Sequence, residues 1–200
     1  MNINALFNIS YGLYVLTSRD ENKDNGCIIN TLSQVTSQPC RVSITVNKQN
    51  YTHDMIAASG QFNVSMLDQS APFAIFKHFG FQSGRTADKF GQGGFESRSE
   101  NGLIYLPEHI CAYVSGRVIA MHDLGTHTMF IADVIDAETT SEKKPMTYEY
   151  YFAAVKPKPE KKAGGWRCKI CGYVYEGENL PTDFICPTCK HPAYDFEKIV

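Results

Sequence analysis

Four cysteines constrain the C-terminal part of this chain more than any other feature. Cys168 and Cys171 form one C-x-x-C pair, and Cys186 and Cys189 form a second pair after fourteen intervening residues. A C-x-x-C turn directs two sulfurs toward one point, so two facing turns make a tetrahedral site of four thiolates, which holds zinc or iron. Residues 166–200 are too few to bury a stable core alone, and a bound metal would supply the missing folding free energy.

The residues around the two pairs resemble rubredoxin, in the short-loop form found at the end of rubrerythrins. Trp166 stands two positions before the first Cys, and C-x-x-C-G-Y-x-Y, C-P-x-C and Phe196-Glu197 follow. The resemblance implies one iron ion that cycles between two charge states, with zinc in a purely structural ribbon as the alternative. Lys190 departs from the family, which has Gly after the second pair. If this position takes a positive φ, lysine adopts it at some cost in free energy.

Composition and charge exclude several classes of partner. The formal net charge is −2, so the chain has no basic field of the kind that binds nucleic acid. No apolar run approaches the roughly 20 residues of a membrane helix, and no signal peptide precedes the first strand-like segment. We therefore expect a soluble, cytoplasmic protein in a reducing compartment, where thiolates stay available for metal. The three remaining cysteines, Cys27, Cys40 and Cys111, are expected to act as small hydrophobic residues.

The pattern of apolar residues before the cysteines predicts a domain that is mainly β. Val42, Ile44 and Val46 alternate with polar residues, which is the period of a half-buried strand. Strand-like segments cover 11–18, 27–36, 42–46, 62–66, 102–121 and 126–137. Many strands of even spacing, with two short helices between them, predict a closed antiparallel barrel.

Turn and capping residues divide this domain further. Asn25-Gly26 is a turn signal, and Thr52 and Ser70 are candidate N-caps of the two helices. Residues 81–94 form a Gly-rich irregular loop, and Lys, Pro and Gly dominate 156–165. We predict a first domain at 1–155, a linker at 156–165 and the small metal domain at 166–200.

The order of segments in residues 1–155 resembles the flavin reductase-like split β-barrels. The resemblance is carried by N-T-L-S-Q-V-T-S-Q-P, V-S-I-T-V-N-K, Y-T-H-D-M-I, S-G-Q-F-N-V-S-M-L and H-T-M-F-I-A-D-V, in that order. It implies an FMN-binding split β-barrel with short helices, a homodimer with FMN at its interface, and reduction of FMN by NADH or NADPH. The fusion to a rubredoxin resembles the high-molecular-weight rubredoxins of anaerobes, which pass electrons from NADH to flavodiiron proteins.

The same resemblance implies which residues form the site. Four match the segment that meets the flavin ring and ribityl chain: Asn30, Thr31, Leu32 and Ser33. Six match the phosphate region or the loop that covers it: Asn47, Lys48, Thr52, Ser83, Gly84 and Arg85. His127 matches a position that faces the nicotinamide pocket in that family. The alternatives are a solvated surface role for Lys48 and an ordinary hydrogen-bonded strand position for His127.

Together the two resemblances imply an NAD(P)H-dependent flavin and rubredoxin oxidoreductase. Electrons would pass from NAD(P)H through FMN to the four-cysteine iron, and on to a redox partner such as a flavodiiron protein. This order suits the chemistry, because a nicotinamide gives a hydride, a flavin releases electrons singly, and iron takes one at a time. Three alternatives stay open: a reductase of free flavin or ferric iron, a flavoredoxin-like carrier without a nicotinamide site, and a zinc-stapled binding protein with no redox role.

Overall fold

The chain forms two compact units, Met1–Val155 and Lys156–Val200. The computed structural model describes residues 2–21, 23–91, 93–94, 97–157 and 165–199. In these ranges no helix combines the length and the apolar character needed to cross a membrane. Residues 158–164 of the predicted linker lie outside the described residues, so the linker stays a prediction.

Seven antiparallel strands form the sheet of the first unit, as far as its residues are described. They are β1 (Tyr14–Arg19), β2 (Asp24–Ile29), β3 (Ser33–Ser37), β4 (Cys40–Asn47), β5 (Gln61–Leu67), β6 (Ile110–Asp123) and β7 (His127–Thr139). They pair in the order β2-β1-β5-β6-β7-β4-β3. In the described part of this unit three α-helices accompany the sheet: α1 (Tyr51–Ser59), α2 (Phe73–Gly80) and the single turn α3 (Tyr148–Tyr150). A 3-10 helix at Ile3–Asn8 precedes the sheet, and a π-helical turn at Tyr151–Val155 ends the unit.

The sheet curls around an apolar core, and a second buried cluster packs α2 and the segment around Leu106 against it. Leu16 of β1, Ile29 of β2, Ile44 of β4, Val64 of β5 and Phe130 of β7 all lie in the same buried cluster. Strands from both ends of the order can share one cluster only if the sheet bends back on itself. The prediction of a mainly β fold with a split barrel and short helices is therefore confirmed. The sheet is not closed as predicted, because β2 and β3 stand at the two ends of the order of the described strands.

Two local predictions near the barrel ends are wrong. Asn25-Gly26 is not a turn but lies within β2, because the chain reverses earlier, where the Asp20 N–H donates to the Lys23 carbonyl at 3.1 Å. The long strand predicted from Gly102 begins only at Ile110. Pro107 interrupts that segment, since proline cannot donate to a strand ladder.

Both predicted N-caps are also displaced. Helix α1 is preceded by Asn50, which makes no side-chain capping bond, and Thr52 lies one residue inside the helix. Helix α2 is preceded by Pro72 rather than by Ser70. The Ser70 hydroxyl instead donates to Asp68 Oδ1 at 2.5 Å. The Thr52 hydroxyl therefore bonds to Asn25, and the Ser70 hydroxyl to Asp68, instead of capping a helix.

The second unit is a three-stranded sheet with a very small core. Its strands are β8 (Trp166–Cys168), β9 (Val174–Tyr175) and β10 (Phe196–Lys198), in the order β10-β8-β9, and a 3-10 helix covers Ala193–Asp195. Among its described residues, the buried cluster consists of Cys168, Cys186 and Phe196. Two of these three residues are cysteines, so a metal bound to them would form part of the core.

Candidate metal centre and flavin site

The four cysteines of the second unit converge. Their sulfur atoms all lie within 4.8 Å of one another. The Sγ–Sγ distance is 3.6 Å between Cys168 and Cys189, and 3.4 Å between Cys171 and Cys186. A tetrahedral centre with metal–sulfur bonds of about 2.3 Å has sulfurs about 3.8 Å apart. The donor set and its spacing therefore fit a metal ion at the centre of the four sulfurs.

The two C-x-x-C turns have the same backbone geometry. The Gly172 N–H donates to the Cys168 carbonyl at 2.9 Å, and the Lys190 N–H donates to the Cys186 carbonyl at the same distance. Gly172 has a φ of 81°, and Lys190 has a φ of 62°. Lysine thus adopts the positive φ that glycine supplies in the first turn. The departure from the family pattern at Lys190 leaves the second turn intact.

Burial and hydrogen bonding act differently on the four thiols. Cys168 and Cys186 are buried, whereas Cys171 and Cys189 are half-buried. Hydrogen bonds from neighbouring thiols, chiefly from Cys189, lower the pKa of Cys171 to about 5. Burial raises the pKa of Cys168, although backbone N–H groups at its sulfur act in the opposite direction. A metal ion replaces the remaining protons when it binds.

One group of predicted flavin-site residues lies where β4 ends and β7 begins. Asn47 is paired with His127 in the register of these strands. The Lys48 N–H donates to the Thr126 carbonyl at 3.0 Å, and its Nζ donates to Asp123 Oδ1 at 2.6 Å. The Thr126 hydroxyl lies 2.8 Å from His127 Nδ1. Lys48 and His127 are therefore neighbours, and Lys48 is held by an ion pair.

A second group forms where α1 meets the loop after α2. Thr52 is fully buried, and its hydroxyl accepts a hydrogen bond from Asn25 Nδ2 at 2.9 Å. Gly84 lies directly against Asn25, since an added Cβ would fall 2.1 Å from Asn25 Oδ1. The Lys23 Nζ donates to the Gly84 carbonyl at 2.7 Å. The loop at Ser83–Arg85 is thus held in place by Asn25 of β2 and by Lys23, which directly precedes β2.

Two cations flank an aromatic ring at the mouth of this second group. Arg85 lies 5.1 Å from the centre of the Tyr51 ring, and Lys23 lies 5.7 Å from it. Arg85 also pairs with Asp54, and the Arg85 N–H donates to Ser83 Oγ at 3.2 Å. A hydrogen bond from His53, followed by the effect of Arg85, lowers the pKa of Asp54. Cations and hydroxyl groups in this arrangement are suited to an anion such as phosphate.

The segment predicted to meet the flavin ring connects β2 to β3. The Thr31 hydroxyl donates to the Thr45 carbonyl at 2.7 Å and accepts from the Thr45 N–H at 3.2 Å. Leu32 packs against the barrel core, whereas Ser33 is exposed and Asn30 is half-buried. Thr31 is therefore tied to β4 two residues before Asn47.

His53 joins the two groups, a role that the sequence did not reveal. Its Nε2 lies 2.8 Å from the Thr128 hydroxyl, next to His127, and its Nδ1 lies 2.9 Å from Asp54 Oδ1. Lys23, Asn25 and Tyr51 were also missed. Asn25 carried only a turn signal, and Lys23 lies in no motif. Tyr51 and His53 lie in the segment Y-T-H-D-M-I, from which only Thr52 was predicted as a site residue.

Comparison with known proteins assigns each of the two units to a family. Residues 6–157 match the model of the flavin reductase like domain. The chain belongs to the flavin reductase-like family. Residues 166–197 match the rubrerythrin, rubredoxin-like domain. The predicted combination of a flavin reductase-like domain with a C-terminal rubredoxin is confirmed.

Two relatives extend along most of this flavin reductase-like chain. A high molecular weight rubredoxin of Moorella thermoacetica is 34% identical, with 100% of both chains covered. A ferric-chelate reductase (NAD(P)H) of Archaeoglobus fulgidus is 34% identical over 82% of this chain and 96% of its own. The two matched families imply a bound flavin in the first unit and one iron held by four cysteines in the second.

Solved structures show the same fold. The NADH:FAD oxidoreductase SgcE6 of Streptomyces globisporus has a TM-score of 0.65 at 22% identity, covering 72% of this chain and 84% of its own. The flavoredoxin of Methanosarcina acetivorans has a TM-score of 0.59 at 22% identity, covering 68% and 74%. The flavin reductase-like chain therefore shares its barrel with proteins of very different sequence.

Proposed function

We propose that the protein is an oxidoreductase that passes electrons from NAD(P)H through FMN to the four-cysteine iron. A redox partner protein, such as a flavodiiron protein, would be the final acceptor. The observation that carries this proposal is the full-length match to a high molecular weight rubredoxin, in which both units align. A flavin accepts a hydride and releases electrons singly, and iron with four thiolate ligands accepts one electron at a time.

The residues of the first unit would bind and orient the flavin. Lys23 and Arg85 offer two cations beside Tyr51, where a phosphate would gain charge-assisted hydrogen bonds. Asn30 to Ser33 offer backbone and hydroxyl groups to the flavin ring. His127, fixed by Thr126, would face the nicotinamide.

The proposal includes a homodimer. Strand β3 lies at the edge of the sheet, and all five of its residues are exposed. An uncovered edge strand has unpaired backbone groups that invite association, and a second copy would cover them. The flavin segment at Asn30–Ser33 leads directly into this strand, so a dimer interface would lie beside the flavin.

Anaerobic titration with NADH tests the proposal. The purified protein, loaded with FMN, is expected to contain about one iron for each chain. It should lose its ferric thiolate absorbance first and its flavin absorbance afterwards, because electrons that pass through the flavin collect on the iron until it is fully reduced. A flavin band that stays oxidised would contradict it in favour of a carrier without a nicotinamide site. A colourless protein containing zinc would contradict the redox role itself.

A second candidate is reduction of ferric chelates by the first unit alone. The relative described as a ferric-chelate reductase favours it. In that case FMN would leave during desalting, and loss of the iron in the second unit would not slow ferric-chelate reduction. The proposed route predicts instead that electron delivery to a protein acceptor requires that iron.

The proposal also assigns Lys48 to the phosphate region, as a third cation whose group is linked to the Tyr51 group through His53. Lys48→Ala is therefore expected to weaken FMN binding by about 1.5–3 kcal/mol, the range for a hydrogen bond to a charged group. Riboflavin lacks the phosphate, so its affinity should not change. Asp123→Asn is the matched control, because it releases Lys48 from its ion pair but keeps the cation. Equal losses for FMN and riboflavin in both variants, measured by flavin fluorescence, would assign Lys48 to holding the 123–126 turn instead.

A further inference from the structure

Lys156 packs on the first C-x-x-C turn of the metal centre. Its Nζ donates a hydrogen bond of 2.5 Å to the carbonyl of Ile170, which lies between Cys168 and Cys171. Its aliphatic stem lies over the same turn, since a Cβ on Gly172 would be 4.0 Å from Lys156 Cε. A residue that composition assigns to the linker is therefore part of the surroundings of the metal.

The charge of Lys156 lies within electrostatic reach of the ligands. Lys156 is half-buried, and burial lowers its pKa, while the charges of Cys171, Cys168 and Cys189 act in the opposite direction. Lys169 provides the contrast, because it stands between the same two cysteines but its side chain is exposed. A charge partly removed from water acts through a lower dielectric and is screened less than a solvated one.

We propose that Lys156 is a positioning residue for the iron centre, which acts through the first C-x-x-C turn and favours the reduced state. This inference deepens the proposed function and rests on its iron centre, but it does not rest on the electron donor. Four thiolates and ferric iron carry one net negative charge, and one added electron makes it two. No proton is taken up, because all four thiolates stay bound. A nearby cation stabilises the more negative state more strongly.

In the proposed route the electron comes from the reduced flavin, and in the test an electrode supplies it. The reduction potential of the iron is measured by spectroelectrochemistry on the full chain. Lys156→Gln is expected to lower the equilibrium constant of reduction about tenfold, which corresponds to about 59 mV for one electron. Lys156→Arg keeps the charge and should stay close to the wild type. Lys169→Gln, the matched control, should change the potential much less.

The reduction potentials and iron contents of these variants either support or overturn the role of Lys156. An unchanged potential in Lys156→Gln, or an equal change in Lys169→Gln, would overturn the proposal. Loss of iron from both Lys156→Gln and Lys156→Met would show that the lysine only supports the fold, which would also overturn it. The absorption bands of the ferric site verify that the four ligands are intact in each variant. A protein that NADH fails to reduce would contradict the proposed donor, yet the electrode measurement would still test Lys156.

Discussion

Substitution of Cys171 by serine is expected to remove the iron and to unfold the second unit, while the flavin stays bound to the first. Among the described residues of the second unit, Cys168, Cys186 and Phe196 form the buried cluster, and with the partly buried side chains around them they make too small a core for a stable domain. Structural metal sites of this kind supply about 10–16 kcal/mol of apparent binding free energy, and most of it is folding free energy. Three thiolates and a hydroxyl cannot replace it.

The chain offers a specific reporter for this experiment. Trp166 is the only tryptophan of the sequence and lies in β8, where its Nε1 donates to the Glu178 carbonyl at 3.2 Å. Its fluorescence therefore follows the second unit alone. The expected results are almost no iron by metal analysis, a solvent-exposed tryptophan spectrum, and unchanged flavin reduction by NADH.

Cys40→Ser is the matched control, because Cys40 is exposed and lies in the first unit. It should keep its iron, its flavin and the wild-type tryptophan spectrum. If Cys171→Ser also loses its flavin, the two units do not fold independently and the boundary predicted at residue 155 is wrong. If it keeps a full complement of iron, the four-thiolate site itself is wrong.

Local patterns made much of this molecule predictable. The spacing of Cys168, Cys171, Cys186 and Cys189 has few structural solutions, because two C-x-x-C turns bring four sulfurs together whatever the rest of the chain does. The alternation of Val42, Ile44 and Val46 with polar residues can be seen within a single short segment of the sequence. Such features depend on a few adjacent residues, so the fold class and the convergence of the four cysteines were predictable from the sequence.

Contacts between distant segments were not predictable in the same way. The Lys23 Nζ and the Gly84 carbonyl meet across 61 positions, and His53 meets Thr128 across 75. No periodicity encodes such a pair, because the barrel topology brings it together only after both elements have formed. Asn25 shows the consequence, since its sequence neighbours favour a turn and its tertiary neighbours place it in a buried strand.

Gly84→Ala is expected to weaken FMN binding about tenfold or more and to lower the free energy of unfolding by about 1–3 kcal/mol, the usual cost of overpacking. An alanine Cβ would lie 2.1 Å from Oδ1, 2.4 Å from Cγ and 2.5 Å from Nδ2 of Asn25. Asn25 cannot rotate away freely, because it is buried and donates to Thr52. The Ser83–Arg85 loop must therefore move outward, and its proposed phosphate contacts move with it.

Gly91→Ala is the matched control within the same loop. Its Cβ would come nearly as close, 2.3 Å, to Asp88 Oδ2, but that side chain is exposed, so it can move into solvent at the cost of the hydrogen bonds that it accepts from the Phe90 and Gly91 N–H groups. We expect a near-normal affinity for FMN and a near-normal free energy of unfolding, measured by fluorescence titration and urea denaturation.

A double-mutant cycle isolates the cause. Asn25→Ala removes the atoms that clash, so Gly84→Ala should cost little when it is added to Asn25→Ala. Asn25→Ala alone loses the bond to Thr52, and that loss is the baseline of the cycle. If Gly84→Ala costs as much in the Asn25→Ala background as in the wild type, the contact with Asn25 does not fix the loop. In that case the position of Arg85 beside Tyr51 has another origin, and the phosphate role assigned to this loop fails with it.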